Sequence, residues 1–167
     1  MFYSRFFFLA LFLVGCAGAE NFLPLQKQTQ KQKIVIVVFE NATEEPLLGL
    51  QVSSLFKETF VRRGIRVVSD LGEADFVLSG KIVKFEQVFM SLNAQGQASE
   101  SRVTISLEYT LQGKETLKDR LSASADYFNS SNPAQDKIAQ DRAIREAFLR
   151  LAEKVAHDIA PFLETSL

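Results

Sequence analysis

Cys16 is the residue whose position most narrowly dictates a reaction. It is the only cysteine in the chain, and it closes the stretch Leu13-Val14-Gly15-Cys16. Ahead of it stand one basic residue, Arg5, and an apolar run from Phe6 to Val14. That run is too short to span a bilayer as a helix but is the right size for the core of a signal peptide. Small residues before a thiol at the end of such a core form a lipobox. The expected chemistry is removal of residues 1–15 and acylation of Cys16. A diacylglycerol together with an N-acyl chain anchors a protein firmly where a single chain would be marginal. With no second thiol, no intramolecular disulfide competes for Cys16.

Other chemistry finds fewer parts. His157 is the only histidine and lies off the apolar stripe of its helix, with no nucleophile motif to serve, so it reads as a solvated side chain. One histidine and one acylated cysteine supply no metal-ligand spacing. Gly72 and Gly80 stand alone rather than in a phosphate-binding loop. The carboxylate pairs Glu44-Glu45 and Glu73/Asp75 fall at helix starts and turns, where capping and solvation account for them. The sequons at Asn41 and Asn129 carry no weight in a bacterial envelope protein. Catalytic residues, metals and cofactors are therefore all expected to be absent.

Cations offer the better site. Lys81, Lys84, Arg102, Lys114, Lys118 and Arg120 fall on a run of strands and their turns. Of these, Arg102, Lys114, Lys118 and Arg120 sit beside one strand pair. Strands hold such groups at fixed spacing, and phosphate is best met by fixed, charge-assisted donors.

These residues need a scaffold. The chain has 167 residues with 19 Lys and Arg against 20 Asp and Glu, a balance that offers nucleic acid no footprint. Residues 16–33 read as an acylated cysteine and a polar tether, Gln26–Lys33 having nothing to bury. Inside it, Phe22-Leu23-Pro24-Leu25 is an apolar patch able to dock on a partner or on the domain. No later apolar stretch approaches membrane-spanning length, so the lipid on Cys16 is the expected membrane attachment.

Residues 34–163 carry the fold. Ile34–Phe39 is β-branched and apolar on both faces, as in a strand covered on both sides. Glu44, Glu45 and Pro46 suit the first turn of a helix. Leu48, Val52, Leu55, Phe56 and Phe60 then line one helical face, and Gly64 ends it in the C′ position. Ile65–Val68 makes a second short strand. Asp75–Leu92 reads as a long strand or a bulged pair kinked at Gly80. Its apolar residues fall on both faces, either because something outside the domain covers the second face or because a bulge folds both sets into one core. After a turn at Asn93–Gln97, Val103, Ile105, Leu107, Tyr109 and Leu111 alternate with polar neighbours. Leu117–Phe128 returns antiparallel. Ile144, Phe148, Leu151, Val155 and Ile159 line a last helix over residues 134–159, about 39 Å long, which Pro161 should stop. The expected fold is α/β (α+β): a two-layer sandwich, two helices on one face of a mixed four- to five-stranded sheet.

In order and spacing these features resemble the LptE family of lipopolysaccharide-assembly lipoproteins. The resemblance rests on the lipobox cysteine, Val38-Phe39-Glu40-Asn41-Ala42-Thr43, the segment Ala74-Asp75-Phe76-Val77-Leu78-Ser79-Gly80-Lys81-Ile82, the turn Gly96-Gln97 and the long Ala-rich last helix. It implies a lipid-anchored plug on the periplasmic side of the outer membrane. Such a plug sits inside an LptD-like β-barrel, helps it assemble and binds lipopolysaccharide. The absence of an aspartate after Cys16 agrees with sorting to the outer membrane. On this reading Arg102, Lys114, Lys118 and Arg120 are the candidate contacts to lipid A phosphates. The alternative is a TolB-N/CsgG/LpoB-type envelope lipoprotein that activates a peptidoglycan synthase or assembles a secretion complex; it shares the Phe-x-Asn start and the Ala-Asp-Phe-Val-Leu-x-Gly strand. A long last helix with no closing strand fits LptE better.

Overall fold

A computed structural model describes residues 32–96, 98–130 and 132–164. The signal segment, Cys16 and the patch Phe22–Leu25 lie outside the described residues. Within them, β1 (Lys33–Ile36), β2 (Glu40–Asn41), α1 (Leu48–Arg62), β3 (Arg66–Val68), β4 (Phe76–Leu92), β5 (Ala98–Gln112), β6 (Thr116–Phe128) and α2 (Pro133–Glu164) follow in order. The strands form one mixed sheet, β3-β1-β4-β5-β6, with β2 also on β4. β1 runs parallel to β3 and β4, and β4, β5 and β6 form an antiparallel meander. The two helices and the sheet make the α+β sandwich the apolar pattern requires, with one strand more than expected.

The first apolar run does not continue as one strand to Phe39. β1 ends at Ile36 and the chain rejoins β4 only at Glu40. Phe39 explains the break, because its ring lies over Gly80. A Cβ at Gly80 would stand 2.8 Å from that ring. Gly80 is thus where an aromatic ring approaches the backbone, not the kink in β4. Register shifts instead fall between Ile82 and Lys84 and again on either side of Ser91. Phe39 is held from both sides. Its ring meets Phe56 edge-on with centroids 4.9 Å apart, and its N–H donates to the buried Ser53 hydroxyl at 2.8 Å. Ser53 donates in turn to the Gly49 carbonyl at 2.6 Å.

α1 begins at Leu48, so Glu44, Glu45 and Pro46 belong to the loop before it and not to its first turn. Asn41 holds that loop: its Oδ1 accepts from the Thr43 N–H at 3.1 Å and its amide donates to the Glu45 carbonyl at 2.7 Å. Leu47 enters the helix at φ 64°, with no side-chain cap. The far end follows the sequence signal, since Gly64 takes φ 74° just past Arg63, a conformation glycine adopts without a Cβ penalty.

α2 is longer than expected. It runs 32 residues, about 48 Å, straight through Pro161. A mid-helix proline costs roughly 3 kcal/mol, but here Ile159 is buried and Phe162 and Leu163 pack against the core on either side of it. Burial of that last turn outweighs the bond the ring removes. Upstream, Ile144, Ala147, Phe148, Leu151 and Val155 lie in the core as the stripe requires. They meet Val103, Ile105, Leu107 and Leu111 of β5, each fully buried.

Candidate functional site: the open face of the sheet

Register decides what the uncovered face presents. Between Ile82 and Lys84 the bulge lets one residue pass without a partner, so parity changes along β4. Leu78 and Ile82 lie opposite Leu111 and Leu107, and after the bulge Phe85 lies opposite Ile105. Phe76, Leu78 and Ile82 before the bulge and Phe85 after it thereby join the core on the helix side, while Val88, Phe89 and Met90 stay exposed. On the other face β4 presents Ser79, Lys81, Lys84, Glu86 and Val88.

That face is polar and internally paired. Glu40, Lys81, Glu108 and Arg120 lie side by side across β2, β4, β5 and β6. Lys81 Nζ is 3.6 Å from Glu40 and Arg120 Nη1 is 3.6 Å from Glu108. Next to this charged row the hydroxyls of Ser106 and Ser122 are 2.8 Å apart, and those of Thr104 and Ser124 are 2.9 Å apart. Farther along, Arg102 engages Asp126 with both arms of its fork, at 2.6 and 2.9 Å. This bidentate pair raises the Arg102 pKa and holds the Asp126 carboxyl below its ordinary range.

The four candidate cations therefore separate. Arg102, Lys118 and Arg120 share the open face, and Lys114 sits in the turn that joins β5 to β6. Lys118 and Arg120 are neighbours on that face, about 7 Å apart along the strand. Arg102 stands six residues along β5 from the Glu108–Arg120 row, about 20 Å away. Among the described residues Lys114 and Lys118 have no carboxylate within ion-pair distance, whereas both arginines do. A phosphate approaching the turn end of β6 meets two free ammonium groups and one loosely paired guanidinium. At Arg102 it would have to displace Asp126.

Two features escaped the sequence. One is the hydroxyl ladder, although Thr104, Ser106, Ser122 and Ser124 do occupy every second position of their strands. The other is the far end of the meander, where Phe89 is 69 % and Phe128 77 % exposed beside exposed Met90 and Leu92. A separate apolar groove of about 700 Å³ lies between the start of α1 and α2, lined by Leu47, Leu50 and Ile144 among others. His157 is exposed on α2. Among the described residues no His, Cys, Asp and Glu gather as a metal cluster, and no helix is long and apolar enough to cross a membrane.

A two-layer sandwich with a short parallel edge, a long antiparallel meander and a C-terminal helix across one face is an architecture found in solved bacterial lipoproteins. The rare lipoprotein B of Shewanella oneidensis superposes with TM-score 0.56 at 15% identity, over 78% of this chain and 96% of that one. Lipoprotein B of Nitrosomonas europaea gives 0.54 at 11% identity, over 81% and 86%. A minor lipoprotein of Acinetobacter baumannii gives 0.51 at 12% identity, over 82% and 97%. At these identities the likeness establishes the fold. The sequence goes further: residues 32–159 match the LptE family, described as lipopolysaccharide-assembly, and the chain belongs to that family. No curated protein matches it in sequence.

Proposed function

We propose that this protein is an outer-membrane lipoprotein, anchored through Cys16 on the periplasmic side. In this reading it acts as plug and assembly partner of an LptD-like β-barrel and binds lipopolysaccharide on its way to the cell surface. It works by binding and not by catalysis. The observation that carries the reading is the family match, which spans nearly all of the folded part. The open sheet face supports it physically. Its hydroxyls and charges are already paired with one another, so the face keeps its structure in a wet barrel lumen without demanding a tight partner.

Lipid A carries phosphates next to acyl chains, so its affinity should have a salt-sensitive part and an apolar part. Lys114, Lys118 and Arg120 are assigned the phosphate contact, with Arg102 a weaker contributor because Asp126 occupies its fork. Replacing all three by Gln should weaken lipopolysaccharide binding and flatten its salt dependence, while Arg102→Gln changes both less. Unchanged affinity and slope in the triple variant would reduce these cations to a solvated face. Anchoring and partner are tested separately. Cys16→Ser should lose palmitate labelling, and the acylated protein should leave solubilised outer membranes as a 1:1 complex with a barrel. Recovery with a peptidoglycan synthase would overturn the plug reading.

A further inference from the structure

A cleft of about 690 Å³ opens between the far end of the meander and the start of α2. Phe89, Ser101 and Tyr127 form one row across β4, β5 and β6. They share the sheet face on which Gln87 meets Gln140 of α2. The Tyr127 hydroxyl reaches Gln87 on β4, so its ring lies across β5 and over the small Ser101, at the base of the cleft. Phe89 stands at the rim, its ring largely exposed. On the opposite wall, Asp136, Lys137 and Gln140 line the cleft from one face of α2.

A chain of hydrogen bonds runs into this cleft from α2. Lys137 Nζ donates to Gln140 Oε1 at 3.4 Å, Gln140 Nε2 to Gln87 Oε1 at 2.8 Å, and Gln87 Nε2 to the Tyr127 hydroxyl at 2.5 Å. An ammonium only donates, so it fixes the direction of each amide that follows. The Tyr127 oxygen is therefore an acceptor, and its own hydrogen has no acceptor among the described residues. Tyr127 is only 8% exposed, so that hydrogen finds a partner only through the cleft its side chain lines. The charges beside it are already engaged. Lys137 also pairs with Asp141 at 3.0 Å, and Asp136 accepts from the Ser130 N–H at 2.5 Å. What the cleft offers is an aromatic ring at its rim and neutral amide and hydroxyl groups that both donate and accept.

We propose that this cleft binds a neutral pyranose unit of a glycan. A sugar hydroxyl both takes and gives a hydrogen bond, so it can accept from Tyr127 and donate to a neighbouring amide oxygen. The C–H face of the sugar ring rests on Phe89, whose π face is negative. A phosphate would meet no uncommitted cation among the described lining residues. A wholly apolar ligand would leave the Tyr127 hydrogen unpaired, at the cost of a lost hydrogen bond. A few oriented polar groups beside an aromatic surface are what small-molecule sites use to fix a ligand. Two envelope glycans offer this chemistry: the sugar part of lipopolysaccharide and the glycan strand of peptidoglycan. Tyr127 lies about 30 Å along β6 from Lys118, and the cleft uses none of the cations assigned to lipid A phosphate. It therefore binds or fails on its own, whatever those cations do.

The test uses the full-length acylated protein in a detergent without a sugar headgroup. Two phosphate-free probes distinguish the sources: dephosphorylated core oligosaccharide released from lipopolysaccharide, and chitotriose. At least one should bind saturably, with amide NMR shifts centred on Gln87, Phe89, Tyr127 and Gln140. Binding of the core oligosaccharide alone assigns the site to lipopolysaccharide, of chitotriose alone to peptidoglycan, and of both to neutral pyranoses at large. Tyr127→Phe deletes only the hydroxyl and should weaken binding about tenfold by calorimetry. Phe89→Ala, at an exposed position, should weaken it about threefold or more. The proposal is overturned if neither probe binds, if the shifts centre elsewhere on the domain, or if either variant, folded by circular dichroism, binds as tightly as the unmodified protein. Should a variant fail to fold, the shift map of the unmodified protein still decides.

Discussion

The two ends of the β4–β5–β6 meander are built from similar residues and meet different fates. At the end nearer β1 and β2, Leu78, Ile82, Leu107 and Leu111 are sealed beneath the helices, and even a glycine is spoken for by the Phe39 ring. At the other end Val88, Phe89, Met90, Leu92 and Phe128 are exposed. Hydrophobicity alone does not separate the two sets. What separates them is the reach of the helical layer. β1, β2 and α1 stop near Ile82, and beyond that point α2 is the remaining cover. At Gln87 the contact is polar: Gln140 of α2 donates to Gln87 Oε1 at 2.8 Å, and Gln87 Nε2 donates to the Tyr127 hydroxyl of β6 at 2.5 Å. One end of the meander is buried in the domain core, and the other keeps its apolar side chains at the surface.

The contrast predicts a steep gradient of mutational effects. Phe148→Ala, deep under the covered end, should cost about 3–5 kcal/mol, read as a lower denaturant midpoint at constant slope; an unchanged midpoint would mean the helix buries another face. Gly49→Ala comes next, because its new Cβ would collide with the Phe39 carbonyl oxygen, a main-chain atom pinned by the Ser53 network. A loss of about 3 kcal/mol is expected, and a neutral result would show that the Phe39 loop yields.

Tyr109 gives an intermediate, pH-dependent effect. Burial first, and then the nearby carboxylate of Asp158, raise its pKa well above the ordinary tyrosine range. Because the folded-state value is the raised one, its contribution is complete below about pH 10 and is lost as pH rises further and the unfolded chain ionises. Melting temperatures measured up to pH 11.5 should fall more steeply for the natural protein than for Tyr109→Phe. Parallel curves would show that other groups set the alkaline limit. The smallest effect belongs to the open end: Phe128→Ala should change stability by no more than about 0.5 kcal/mol, and a loss several times larger would erase the distinction between the two ends.

Local signals made much of this protein legible. The alternation from Val103 to Leu111 named the most buried strand, the stripe from Ile144 to Ile159 named the core face of α2, and Gly64 marked the end of α1. Each depends on a periodicity or a backbone preference that acts within a few residues.

Other features answer to contacts distant in sequence. Phe39 leaves its strand because Gly80, forty-one positions away, has room for a ring. Pro161 stays helical because its neighbours are buried. The bulge after Ile82 decides which side chains of β4 face the core, and no composition of β4 alone reveals where it falls. The basic set shows the same limit. Its residue types came from the sequence, but only the register pairs Arg102 with Asp126 and Arg120 with Glu108, and leaves Lys114 and Lys118 without an ion pair among the described residues. Periodicity determines which face a residue prefers; the cross-strand partner, set by tertiary pairing, determines whether its charge remains available.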